Sequence, residues 1–145
     1  MRPSEIPIGL LVSSTAKVLS KEFDAALAAV GGSRPTWLVL QSLKSAGPGG
    51  HRTQGELAAA VGIRQPTLSH HLDGLEREGL VRRERTADNR RVQHVTVTEA
   101  GEALFLRLRR AAGAFDGRLR AGLDDAEVAE LRRLLTHLVE NAPPD

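Results

Sequence analysis

Residues 53–98 read TQGELAAAVGIRQPTLSHHLDGLEREGLVRRERTADNRRVQHVTVT, and this stretch decides the fold. Thr53 and Glu56 have the spacing of a capping box, which predicts that a helix starts there. Gly62 ends this helix after about two turns, because glycine is favoured just past a helix end. A second helix follows the tight turn and ends at Gly79. This order is typical of a helix-turn-helix motif.

Two β-branched, alternating segments come next, at residues 81–85 and 92–98, and they predict a hairpin with a six-residue polar tip, 86–91. A helix-turn-helix followed by a hairpin is the order of a winged helix. An α-helix fits the major groove of duplex DNA, and an arginine at a hairpin tip can enter the minor groove. We therefore predict that the polar face of the second helix and the basic tip bind DNA.

The flanking segments are predicted to be helical. Apolar residues spaced mostly by three, four and seven indicate a long amphipathic helix between residues 4 and 30, which Gly31 and Gly32 end. A shorter helix follows, and residues 46–50 predict a loop. Residues 99–141 read as two more helices. The chain is therefore expected to be mainly α with a small β-hairpin.

Three details of the last two helices also follow from local sequence. Thr98 is expected to serve as the N-cap of the first, and an Asp124-x-x-Glu127 capping box is expected to start the second. The first helix is expected to be bent or broken around Gly113 and Gly117, since glycine is a poor helix former.

The composition is that of one globular domain: 145 residues, 41% of them hydrophobic and 26% charged. The absence of cysteine excludes disulfide frameworks and thiolate zinc sites. No apolar run approaches the ~18 residues of a membrane span. We therefore expect a cytoplasmic protein with no membrane partner.

Neither catalysis nor a cofactor is expected. No nucleophile–base pair, phosphate-binding loop or pair of carboxylates stands out, so an enzyme has little support. Metal binding would need clustered ligands, and the spacings of the five histidines match no compact ligand motif. These histidines are His51, His70, His71, His94 and His137.

Three short motifs in a fixed order resemble the MarR family of winged-helix regulators. They are Leu75-Glu76-Arg77-Glu78-Gly79-Leu80-Val81, Asp88-Asn89-Arg90, and Val95-Thr96-Val97-Thr98-Glu99-Ala100-Gly101. The resemblance covers nearly the whole chain, 1–145, as a single MarR-like domain. It implies a winged helix-turn-helix lobe at 33–98, with dimerisation helices at 4–32 and 99–141.

The resemblance also implies a function. Members of this family are homodimers that bind inverted-repeat operators, usually as repressors relieved by a small, often anionic aromatic, effector. It places Gln65, Pro66, Thr67, Ser69 and His70 at the major groove and Arg90 in the minor groove.

Arg64 and His70 depart from the family pattern, and further residues of the wing extend it. Arg64 stands where the family often has a small capping residue, so a weaker cap and a phosphate contact are expected there. His70 stands where the family often has arginine, so a base or phosphate contact there is expected to depend on pH. In the wing, Asp88 can orient Arg90 through an ion pair; Asn89 and Arg91 complete the predicted wing contacts.

Two residues carry alternative interpretations. Leu68, Leu72 and Leu75 are expected to form one narrow apolar stripe on the second helix of the helix-turn-helix. His71 lies about 60° from this stripe, so it is expected at the margin of the core and not at DNA. The ligand pocket of the family lies between the dimerisation helices and the DNA-binding lobe. Trp37 is the candidate to line it, although a lone tryptophan more often belongs to the core or the dimer interface.

The alternative function is a winged-helix module that binds another protein and not DNA. A polar helix face and a charged hairpin tip are also what a merely solvated surface presents. Seven arginines between residues 64 and 91 favour DNA, although five acidic residues share that span.

Overall fold

The computed structural model describes residues 2–47, 51–85, 87–89 and 91–142. A short 3-10 turn, Pro3–Glu5, precedes the first helix. The main elements follow in chain order: α1 Ile8–Ala28, α2 Arg34–Ser45, β1 His51–Thr53, α3 Gln54–Val61, α4 Gln65–Arg77, β2 Val81–Arg85, β3 Gln93–Val97, α5 Glu99–Leu119 and α6 Asp125–Asn141. The predicted mainly α fold with a winged helix-turn-helix is confirmed.

Side-chain caps begin the helices where the sequence predicts them. Thr53 Oγ1 accepts a hydrogen bond from the backbone N–H of Glu56 at 3.1 Å, and the Glu56 carboxylate accepts one in return at 3.2 Å. Asp124 and Glu127 form the same reciprocal pair at the start of α6, at 2.8 and 3.1 Å. Each capping box satisfies two backbone donors that the helix itself leaves unpaired.

The start of α1 and the continuity of α5 differ from the prediction. α1 begins at Ile8 and not at residue 4, because Pro7 takes the N-cap position and residues 3–5 form a separate turn. α5 is not broken at its glycines: it continues through Gly113 and Gly117. Glycine lowers helix propensity by about 1 kcal/mol relative to alanine, which this long helix tolerates.

The sheet has three antiparallel strands in the order β1-β3-β2. β2 and β3 form the predicted hairpin, with Val81 opposite Val97. β1 was not predicted, and it pairs with the other side of β3, with Thr53 opposite His94. The wing is therefore attached to the start of α3 through a shared sheet.

Contacts between Cα atoms divide the chain into two compact units, residues 1–112 and 113–145. The first unit contains one hydrophobic core, to which α1 to α5 and the sheet all contribute. Its largest fully buried side chains are Leu27, Leu40, Leu43, Leu57, Leu68, Leu72, Leu108, Val39, Val81 and Val95. This core fixes α3, α4 and the hairpin relative to one another.

The second unit contains the end of α5 and all of α6. Phe115 and Val128 are its buried apolar side chains among the described residues. In the described part of the chain, no helix is both long and apolar enough to cross a membrane.

Candidate nucleic-acid interface

Helix α4 buries one narrow stripe and exposes the opposite face. Leu68, Leu72 and Leu75 are buried, which confirms the predicted stripe. At roughly 100° per residue, these positions share one side of a helix. The polar side chains of α4 are therefore turned away from the core.

The residues predicted to contact the major groove lie at the beginning of this helix. Gln65, Pro66, Thr67 and His70 are exposed, and Ser69 is half-buried. His71 is half-buried, as expected for a residue at the core margin. These positions are accessible to a partner, and their role in DNA binding remains a prediction.

Arg64 is the N-cap residue of α4. Its side chain forms no capping hydrogen bond within the described part of the chain. Arginine has no acceptor to offer the unpaired N–H groups of the first turn, so the predicted weak cap has a chemical cause. The Arg64 side chain is left exposed at the positive end of the helix dipole.

The tip of the wing is described in part. Asp88, Asn89 and Arg91 are exposed. Asn89 Oδ1 accepts a hydrogen bond from the backbone N–H of Arg91 at 3.1 Å, a local contact that shapes the turn. Arg90, the predicted minor-groove residue, and its ion pair with Asp88 lie outside the described residues.

A cluster of three charged side chains joins the wing to α4. The Arg83 guanidinium on β2 donates hydrogen bonds to Asp73 Oδ1 at 2.5 Å and to Glu76 Oε1 at 3.1 Å. The backbone N–H of Arg83 donates to Glu76 Oε2, also at 3.1 Å. Burial by itself would lower the pKa of Arg83, but the hydrogen bonds and charges of Asp73 and Glu76 outweigh it and raise the pKa. Arg83 is therefore a permanent cation held between two carboxylates.

Sequence reasoning missed this cluster. Along the sequence, Arg82, Arg83 and Arg85 add positive charge near the wing tip, and Glu84 offsets one of them. In the structure, the charge of Arg83 is matched by Asp73 and Glu76 of α4. The partners are seven and ten residues away on a different element, so no local spacing rule identifies them.

A cleft of about 730 Å³ lies between α4, the start of α3 and the wing. Its walls bring together Gln65 and Ser69 of α4 with Arg91 of the wing, three of the residues singled out from sequence. Gln54 also lines it, and its Oε1 is buried without a hydrogen-bond partner among the described residues. Residues of α4 and of the wing thus share one concave surface.

Trp37, the candidate ligand-pocket residue, packs on another aromatic side chain. Its ring stacks on that of Phe105, with centroids 5.4 Å apart and planes 12° from parallel. Both belong to the core of the first unit or pack against it. The contact favours a packing role, and a role in effector binding stays a prediction.

The histidines are not clustered with other possible metal ligands in the described part of the chain. Among the described residues, no group of three or more His, Asp or Glu side chains is placed to hold a metal ion. The rings of His51 and His94 lie 5.1 Å apart on neighbouring strands, but they are only a pair.

The fold and this surface are those of a winged helix-turn-helix protein, and comparison with known proteins identifies the family. The MarR family profile matches residues 31–92. The transcriptional regulator PA3341 is 34% identical, over 94% of this chain and 98% of that one, with a TM-score of 0.71. The chain belongs to the MarR family of winged-helix transcriptional regulators.

Two other similar structures were solved with DNA. CouR, a transcriptional repressor bound to a 23-mer duplex, is 28% identical, over 93% of each chain, with a TM-score of 0.78. A mutant of MarR from E. coli, complexed with operator DNA, is 24% identical over 92% of this chain and 94% of that one, with a TM-score of 0.77; at this identity the likeness shows the fold alone. The relatives are regulators and not enzymes.

Proposed function

We propose that the chain is a homodimeric, sequence-specific regulator that binds inverted-repeat operator DNA and represses transcription. The observation that carries the proposal is the shared cleft, which is lined by Gln65 and Ser69 of α4 and by Arg91 of the wing. A surface of this kind suits a duplex, because the helix and the hairpin tip can enter adjacent grooves. CouR, a repressor with the same fold bound to DNA, supports the direction of regulation.

The residues of α4, the proposed recognition helix, have distinct proposed roles. The major groove is read by side chains that contact base edges or phosphates: Gln65, Thr67, Ser69 and His70. Pro66 also contacts the groove, although it has no backbone N–H to donate. Arg64 contacts a phosphate beside the helix start. These roles are supported by the chemistry of the side chains and by their exposure, which is only partial for Ser69.

The wing has the second set of proposed roles. Arg90 enters the minor groove, where the narrow A·T-rich groove attracts a guanidinium. Asp88, Asn89 and Arg91 support it from the same tip. The local contact between Asn89 and Arg91 supports this arrangement, since it orders the described part of the wing tip.

Exposed apolar side chains support dimerisation. On α1, Ile8, Leu10 and Val18 are 58% to 64% exposed. On α6, three leucines at positions 131, 134 and 135 are 42% to 48% exposed. Clusters of exposed apolar residues mark surfaces that another molecule covers, and a second copy of the chain would cover both faces. A dimer would place two recognition helices one DNA turn, ~34 Å, apart.

We further propose that a small anionic aromatic effector relieves repression by favouring a conformation with a different helix spacing. Membership of the MarR family supports this step, and Trp37 is the candidate contact. Regulation of transcription would also place the protein in the cytoplasm.

Selection of bound duplexes from a random pool tests the proposal. We expect an inverted repeat to be enriched, and we expect one of a panel of aromatic carboxylates to reduce its recovery. A protein-binding winged helix would instead enrich no sequence and show no salt-sensitive affinity for any duplex. That result would overturn the proposed function and favour the alternative.

A further inference from the structure

Arg83 is the least exposed paired cation in the described part of the chain. Its side chain is 14% exposed, whereas the other cations in ion pairs there are 39% exposed or more. It also accounts for three hydrogen bonds that join β2 to α4. A guanidinium held in this way has little surface left for a phosphate.

Its partners occupy a position where negative charge would oppose DNA binding. Asp73 and Glu76 line the same cleft as Gln65 and Ser69, and their side chains are 53% and 42% exposed. Without Arg83, two uncompensated carboxylates would face the approaching phosphates. Like charges placed against a partner lower both its affinity and its rate of association.

The same cluster fixes the geometry of the wing. The backbone N–H of Arg83 and its guanidinium both bond to Glu76, so β2 is held to α4 by main chain and side chain together. Arg83 lies opposite Val95 on β3, whose side chain is fully buried. Side chains of directly opposite residues project from the same face of an antiparallel pair, so the core and the ion pairs together hold this one face of the hairpin.

We propose that Arg83 is a positioning residue of the DNA interface that does not itself contact DNA. It neutralises Asp73 and Glu76 and sets the wing against α4, so that the wing and the recognition helix engage one site together. This inference deepens the proposed function and rests on it.

The test is a set of binding titrations on the selected duplex at several salt concentrations. Arg83→Gln should weaken the affinity for DNA at least about tenfold, because it leaves the carboxylates of Asp73 and Glu76 without a compensating cation. The triple variant Arg83→Gln/Asp73→Asn/Glu76→Gln should bind at least about threefold more tightly than Arg83→Gln, because the repulsion is gone although the wing stays unanchored. The salt slope of Arg83→Gln should be shallower than that of wild type and should return toward it in the triple variant, because salt screens the repulsion between the exposed carboxylates and the phosphates.

Arg82→Gln is the matched control. Arg82 is the preceding residue of the same strand, is exposed, and its substitution removes the same charge. It should change affinity less than about threefold, as expected for a screened surface charge. Wild-type affinity in Arg83→Gln would overturn the proposal. A salt slope shallower by about 0.9, with no recovery in the triple variant, would also overturn it, because it would show a direct phosphate contact.

A DNA-independent measurement separates this inference from the proposed function. In the free full-length protein, Arg83→Gln should speed amide hydrogen exchange in β2 and β3 more than Arg82→Gln does. If no duplex is bound by wild type, the proposed function fails, and the exchange result then decides only whether Arg83 holds the wing. Equal exchange in the two variants would overturn the anchoring role.

Discussion

Gly101, in the first turn of α5, lies directly against the backbone carbonyl of Leu80. A Cβ at this position would overlap the Leu80 oxygen and would lie 2.7 Å from Cγ2 of Val97. Thr98 closes the same junction: its Oγ1 donates to the Gly79 carbonyl at 2.5 Å and accepts from the Gly101 N–H at 3.1 Å. Only glycine therefore allows α5 to start this close to the turn after α4.

Gly101→Ala should destabilise the protein. The carbonyl of Leu80 is backbone and cannot rotate aside, so the added methyl forces a shift that costs about 1–3 kcal/mol. Urea unfolding measures the loss. Gly113→Ala is the control in the same helix, because nothing lies within 4 Å of its added Cβ. It should raise the free energy of unfolding by about 0.5–1 kcal/mol, and an equal loss in both variants would contradict the steric explanation.

The helix starts could be predicted because each depends on a few neighbouring residues. Thr53-x-x-Glu56 and Asp124-x-x-Glu127 specify capping boxes by local chemistry, and Thr98 caps α5 as expected. β1 was missed because three residues carry no alternating pattern, and its backbone is ordered by pairing with β3. The start of α1 was misplaced because apolar spacing alone does not reveal the separate turn before Pro7.

Arg64→Ser should stabilise α4 while weakening DNA binding. Serine can accept a hydrogen bond from the first turn, as Arg64 cannot, and a good N-cap is worth about 1 kcal/mol. Chemical denaturation should show the gain. Thr53→Ala, which removes a working cap from α3, should cost a similar amount. If Arg64 binds one phosphate, Arg64→Ser should lower operator affinity and make the slope of log affinity against log salt concentration shallower by about 0.9. Unchanged affinity would show that Arg64 does not contact DNA.

The contribution of Glu56 to stability should depend on pH. Hydrogen bonds from the side chain and then the backbone of Thr53 lower the pKa of Glu56 below its ordinary 4.5. The stabilisation is therefore complete above pH 4.5 and is lost as the pH falls through the lowered pKa. The stability difference between wild type and Glu56→Gln should be constant near neutrality and change only below that pH. A difference that is independent of pH into the acid range would show that the carboxylate is not the favoured form.

Arg90→Ala should strongly weaken operator binding. Loss of one guanidinium from the minor groove should lower affinity about tenfold and make the salt slope shallower by about one unit. Fluorescence anisotropy at several salt concentrations measures both quantities. Arg82→Ala serves as the control, since Arg82 is exposed on β2 away from the tip. Equal effects of the two substitutions would mean that the wing contributes only general charge.

The candidate site was predictable where function depends on exposed residues of one element. The exposure of Gln65, Thr67 and His70 follows from the leucine stripe, which periodicity reveals. The role of Arg83 did not follow, because its partners belong to another element and only the packed core brings them together. The number of arginines counted along the sequence therefore overestimates the positive charge available to DNA.

The central claim is that a dimer reads two half-sites at a fixed spacing. The most direct measurement compares the affinity for the selected inverted repeat with that for the same duplex carrying about five extra base pairs between its halves. Since one turn of DNA is about 10.5 base pairs, the insertion turns the second half-site to the opposite face. We predict that affinity falls to the value of an isolated half-site. Equal affinity for the two duplexes would contradict a dimer that engages both halves at once.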